Sequence, residues 1–127
     1  MLFRSHTAAD LARAAFEGVA FDVARCIEAT GTAPESLALA GGAHLSPWAE
    51  IVAATVGVPG VVRTGREPAS VGAAMLTARA LGRPWDVDVV NPVTGIVEPP
   101  PGLVEAYAAV RARSDATAAA ALGRAKG

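Results

Sequence analysis

Gly41 and Gly42 follow an apolar run, residues 36–40, and precede Ser46-Pro47-Trp48, where a helix is predicted to start. Glycine after a strand lets the backbone take positive φ and come close to a ligand with no Cβ in the way. Ser46 suits an N-cap, and Pro47 suits the first helical position, where a missing N–H costs nothing. A helix start offers free N–H groups and a positive dipole end to an anionic or polar ligand. Strand–Gly-Gly–helix also arises where packing alone requires it, so a ligand turn and a packing turn are both open at this point.

The other chemistry-bearing residues are sparse. His6 and His44 are the two histidines, and neither has Cys or carboxylate neighbours at metal-ligand spacing, which argues against a zinc site. His44 reads as an exposed loop histidine or as one wall of a pocket beside the glycines. Cys26 precedes Ile27 on a helix and reads as a buried, inert thiol. Asp10, Glu17, Asp22 and Glu28 share that helix and read as surface charge. No Ser–His–Asp set, acid–base carboxylate pair or Walker loop is recognisable. Trp48 and Trp85 lack interleaved Lys and Arg and read as core or interface residues, not base-stacking platforms.

These residues must be positioned by an α/β framework. Thr7-Ala8-Ala9-Asp10 opens a helix in capping-box style, and Gly31 ends it. Phe16, Val19, Ala20, Val23 and Ile27 define its predicted apolar face. Gly18 in mid-helix costs about 1 kcal/mol against Ala and predicts another backbone packed close by. A short strand is predicted over 36–40, a helix over 47–56 closed by Gly57, and a second short strand over 61–63. A third helix runs from Glu67-Pro68 to about Leu81. Residues 87–90 are predicted as a weak strand, 91–102 as a proline-rich loop, and 103–122 as a last helix buried through Leu103, Ala106, Tyr107 and Val110. Helix–strand–helix–strand–helix is an α/β pattern, and its few short strands suggest part of a larger sheet.

Length and composition set the bounds. The 127 residues suit one domain, 1–127, with 1–6 and 123–127 expected to fray. The formal net charge of −1 gives no basic footprint for nucleic acid or an anionic membrane. Hydrophobic residues reach 52%, much of it alanine, but Gly, Pro and charges interrupt every run before the roughly 20 residues of a membrane span. No signal-peptide pattern is read at residues 1–6, and a single cysteine fits a reducing, cytoplasmic compartment.

Gly41-Gly42-Ala43-His44-Leu45-Ser46-Pro47-Trp48-Ala49-Glu50-Ile51, after its apolar strand, resembles the adenosine motif of the FGGY carbohydrate kinases. That pattern is a hydrophobic strand, a glycine cluster, Ser or Asn, then Trp, then Gln and an aliphatic residue. Gly57-Val58-Pro59 matches the Gly-x-Pro that follows. Glu17-Gly18-Val19-Ala20-Phe21 is similar to the family's Glu-Gly-x-Ala-Phe helix, and Glu67-Pro68-Ala69-Ser70-Val71-Gly72-Ala73-Ala74 to its Glu-Ala-x-x-x-Gly-Ala-Ala helix. Ser5-His6-Thr7 is most like xylulose-kinase-type members. Ala43 replaces a common third glycine, Glu50 the usual Gln and Ala54 the usual Asp.

The resemblance implies the last part of an actin-like, RNase H-like ATPase domain, with ATP in a cleft between two such domains. Gly41, Gly42, Ala43 and Ser46 would be the adenosine contacts, and the Gly72 helix would pack beside the nucleotide cleft. Magnesium is expected only in a complete kinase. The family's catalytic base, phosphate loops and sugar site have no match in these residues, so the isolated chain is expected to be inactive. Its expected partners are nucleotide, the missing kinase domains on another chain, and a second copy in a dimer formed by surface those domains would cover. The alternative is a non-catalytic α/β interaction or regulatory module.

Overall fold

The computed structural model describes residues 6–65 and 67–124. Its elements are α1 (Ala8–Ala29), β1 (Leu37–Leu39), a 3₁₀ turn (Gly41–His44), α2 (Trp48–Val56), β2 (Gly60–Arg63), α3 (Pro68–Ala80), α4 (Val87–Val90), β3 (Val93–Val97) and α5 (Leu103–Arg124). The capping box at the start of α1 forms as its sequence dictates. Thr7 N–H donates to the Asp10 carboxylate at 2.7 Å, and Asp10 N–H donates to Thr7 Oγ1 at 3.3 Å. The Thr7 contacts hold the Asp10 carboxyl below its ordinary value.

The sheet runs β1-β2-β3. β1 and β2 are parallel, pairing Leu37 with Gly60 and Leu39 with Val62, and β3 returns antiparallel with Val62 opposite Gly95. Gly60 is set by close approach: a Cβ there would lie 2.5 Å from Leu39 Cδ1. α2 is the hub, packing on α1, α5 and the sheet. Its Ala49, Ile51, Val52, Ala53 and Ala54 are all buried. Ala20 and Phe21 of α1 and Tyr107 of α5 complete the core.

Charged side chains clasp α1 to α5 beside that core. Tyr107 donates to Glu17 at 2.9 Å and accepts from Arg13 at 2.8 Å, while Arg13 also donates to Glu17 at 2.9 Å. Arg25 donates to Asp115 at 2.6 Å, and Arg111 bonds Glu28. Glu17 and Glu28 are thus interhelical ties, where the sequence suggested plain surface charge. Burial, then the hydrogen bond to Glu17, pushes the Tyr107 phenol above its ordinary value of 10.0. A raised folded value means that the contribution is complete below pH 10.0 and is lost as pH rises through the folded value. Tyr107→Phe is therefore expected to cost about 1–2 kcal/mol at neutral pH by urea denaturation. The difference from wild type should shrink in alkaline buffer, and an equal-stability variant at pH 7 would contradict the clasp.

Several sequence expectations are corrected. Residues 87–90 form a helical turn, α4, instead of a strand, because the Asp86 side chain caps it by accepting Asp88 N–H at 2.9 Å. The predicted 91–102 loop contains β3. Its prolines fall before and after Val93–Val97, leaving a β-branched edge strand between them. The buried face of α1 is Ala20, Phe21 and Ala24, while Phe16 and Val19 are 45% and 53% exposed. The close approach of alanine-rich α2 favours small residues at the contact. Gly18 is exposed, with nothing within 4 Å of a Cβ there, so no packed backbone explains it. Cys26 is exposed, not buried. Trp85 is exposed, which overturns the core half of its core-or-interface reading, and Ala106, expected in the buried stripe of α5, is exposed too. α5 runs to Arg124, with residues 123 and 124 inside it; the fraying expectation for 1–5 and 125–127 lies outside the described residues. Among the described residues, no helix is long and apolar enough to cross a membrane.

Candidate functional site

The carboxyl ends of parallel β1 and β2 open into a cleft of about 300 Å³. In open α/β sheets this is where ligands bind, because loops diverge there and leave a crevice. Leu39, Ala40, Gly41 and His44 form one wall, and Val62, Arg63, Thr64 and Gly65, with Thr94, form the other.

Gly41 turns the chain with φ +58, a conformation that favours glycine, and the 3₁₀ turn follows with Ala43 N–H donating to Ala40 C=O at 3.0 Å. At Gly41 and at Gly42 an added Cβ would meet nothing within 4 Å. Packing against the described chain therefore gives no reason for glycine at position 42. The space above the turn is open to an incoming molecule.

The structure brings only part of the sequence-derived set to the cleft wall. Gly41 borders it; Gly42, Ala43 and Ser46 do not. Gly42 and Ser46 are exposed and Ala43 is half-buried. Ser46 is not the N-cap of α2: its Oγ donates to Glu50 Oε1 at 2.8 Å, and Pro47 holds the cap position with no side-chain cap bond. His44 fits both of its readings, being exposed and also part of the cleft wall. Gly72 borders a different groove, with Met75 and Trp85, so α3 does not line this cleft.

The opposite wall was not legible as a site. Arg63 Nη1 donates to Asp88 Oδ1 at 2.8 Å and to Asn91 C=O at 2.7 Å. Buried Asn91 accepts Gly65 N–H through Oδ1 at 2.6 Å. A Cβ on Gly65 would lie 2.9 Å from that oxygen, so the Asn91 amide would have to shift to admit one. Asn91 thereby fixes the loop after β2 against the segment entering β3. The findable signal was Arg63, a cation ending a strand parallel to the one that feeds the glycine turn.

Chemically, the wall offers backbone groups, hydroxyls, an imidazole and a guanidinium, with no carboxylate among its side chains. Among the described residues no group of three His, Cys, Asp or Glu side chains is placed to hold a metal ion. The cleft is suited to binding and orienting a polar, flat or anionic molecule. The side-chain base on its wall is the His44 imidazole.

Comparison with known proteins agrees with this geometry. Residues 2–81 match the model of the FGGY family of carbohydrate kinases, C-terminal domain. No curated protein matches the chain. Among solved structures, gluconate kinase from Lactobacillus acidophilus superposes with TM-score 0.81 at 21% identity, over 94% of this chain and 26% of that one. The ligand-bound xylulose kinase from Lactobacillus acidophilus gives TM-score 0.79 at 21% identity, with the same 94% and 26% coverage. The chain thus spans about a quarter of the length of these kinases, and its three strands and flanking helices are part of their actin-like α/β fold. With its match covering residues 2–81, the chain belongs to the FGGY family of carbohydrate kinases, as C-terminal domain sequence.

Proposed function

We propose that this chain is the adenosine-binding portion of an ATP-dependent carbohydrate kinase, with a xylulose-like sugar as phosphoryl acceptor, and that it is inactive in isolation. The observation that supports this most is the glycine turn at the mouth of the β1–β2 cleft, with open space where Cβ atoms would sit on Gly41 and Gly42. In this reading Gly41, Gly42 and Ala43 admit the nucleoside against bare backbone, and Ser46 exchanges its Glu50 hydrogen bond for one to the base or ribose. Bound ATP would supply the transferred phosphoryl group. These residues hold and orient the nucleoside end, and the rest of a kinase supplies phosphate and magnesium contacts. The cytoplasm is the matching compartment for such an enzyme.

Equilibrium dialysis against adenosine tests the reading. Binding near a millimolar dissociation constant, worth about −4 kcal/mol, suits one face of a half-built cleft. Gly42→Asp should abolish it by filling the open space with a charged side chain. Equal binding by that variant would remove the glycine turn from the site. The rival reading, a non-catalytic interaction module, draws on the exposed apolar face of α3 and predicts no adenosine binding at all.

A further inference from the structure

The cleft wall formed by residues 62–65 is held from behind. The β2–β3 register shifts between Val62 and Arg63, so a regular ladder does not carry on through the wall. Bonds to residues 88–92 take over. Arg63 Nη1 donates to Asp88 Oδ1 and to Asn91 C=O. Thr64 donates to Pro92 C=O through its N–H at 3.0 Å and its Oγ1 at 3.3 Å. Gly65 N–H donates to Asn91 Oδ1 at 2.6 Å. That last acceptor belongs to a buried side chain: Asn91 is 7% exposed and does not itself border the cleft. A Cβ on Gly65 would meet Oδ1, Cγ and Nδ2 of the Asn91 amide within 3.3 Å, so the contact is close as well as hydrogen-bonded. Burying an amide gains little net stability, because its bond replaces one to water. What the bond fixes is geometry, namely where the Gly65 backbone and the end of the wall stand.

We infer that Asn91 is a positioning residue for the nucleoside in the β1–β2 cleft: it touches no ligand and sets the ligand's affinity through Gly65. The inference rests on the nucleoside reading of that cleft. The wall at the glycine turn is braced by α2, the hub of the core. The end of the facing wall has residues 88–92 behind it instead. A nucleoside held between the two walls needs them at a set separation. A wall end free to move would have to be ordered on binding, and that ordering weakens affinity. The bond from Gly65 to Asn91 spans 26 residues, so it ties the wall to the entry of β3 and not to its own strand. Asn91 therefore acts on the site from outside it.

Amide NMR of the labelled full chain titrated with adenosine tests it, with circular dichroism as the check on folding. Asn91→Ala should raise the adenosine dissociation constant about three- to tenfold, the effect of losing one ordering hydrogen bond. Before any ligand is added, its Gly65 amide should exchange with solvent faster than in wild type, while buried Ala53 in α2 keeps its wild-type exchange. Asn91→Leu keeps the bulk of the side chain without the acceptor and should weaken binding equally; it also covers a failure of the alanine variant to fold. Asn91→Asp keeps an acceptor oxygen in either charge state and should retain most of the affinity. Wild-type affinity in Asn91→Ala and Asn91→Leu, with Gly65 exchanging faster, would overturn the inference and leave the nucleoside site standing. Weakened binding with Gly65 exchange unchanged would overturn it too, since the loss would not run through Gly65. A wild-type chain that binds no adenosine would remove the site itself, and the positioning role with it.

Discussion

Purified chain supplied with ATP, magnesium and xylulose or gluconate is expected to release ADP no faster than a protein-free blank. Phosphoryl transfer depends on holding acceptor, phosphates and metal in line while charge is neutralised. Among the described residues the β1–β2 cleft wall carries one guanidinium, tied by Asp88 and Asn91, the His44 imidazole and no carboxylate. The chain also spans only 26% of each kinase it superposes on. Kinases turn over at roughly 1–100 per second, so a coupled ADP assay separates the two outcomes by orders of magnitude. Sugar-dependent turnover by purified chain, lost in Gly42→Asp, would contradict the proposal. Turnover gained on co-expression with the remaining kinase domains would support a split enzyme over an interaction module.

The second large effect concerns the strand pair that shapes the cleft. Gly60→Ala should destabilise the fold by about 1–3 kcal/mol, the range for overpacking a close contact. The added Cβ would lie 2.5 Å from Cδ1 and 3.0 Å from Cγ of Leu39, and Leu39 is itself buried on the paired strand. All three of the nearest atoms belong to that one side chain. In a Leu39→Ala background the same substitution should therefore cost less than about 1 kcal/mol, a coupling that a double-mutant cycle reads directly. Additive costs in urea denaturation would show that Leu39 is not what holds Gly60 to glycine.

Local chemistry was legible and long-range pairing was not. Thr7 with Asp10, and Gly31 and Gly57 with positive φ, mark helix ends through contacts within a few residues. The three long helices and the two parallel strands follow from such signals and from apolar periodicity. Residues 87–90 misled because three β-branched valines outweighed Asp86 in a propensity reading, whereas one capped turn decides the structure. β3 hid between prolines because its evidence is its pairing with β2. The face of α1 was misjudged for a similar reason: which apolar residues go inside depends on the alanines of α2 that meet them. At the site, the glycine turn was readable from Gly41 and Gly42. Asn91 was not, since its bond to Gly65 N–H spans 26 residues and rests on the unseen β3 entry. Ser46 was misassigned as a cap because Glu50, one turn on, takes its hydroxyl.

The claim that the glycine turn receives adenosine is tested most directly by following backbone amides of the labelled chain by NMR during titration with adenosine, ADP and ATP. The amides of Gly42 and Ser46 should shift together, saturating near a millimolar constant, about −4 kcal/mol, with little gain from adenosine to ATP because the phosphates lack support. Arg63, Gly65 and Thr94 on the opposite wall should respond in the same concentration range. No shift at Gly42 and Ser46 up to the solubility limit of adenosine would contradict the claim.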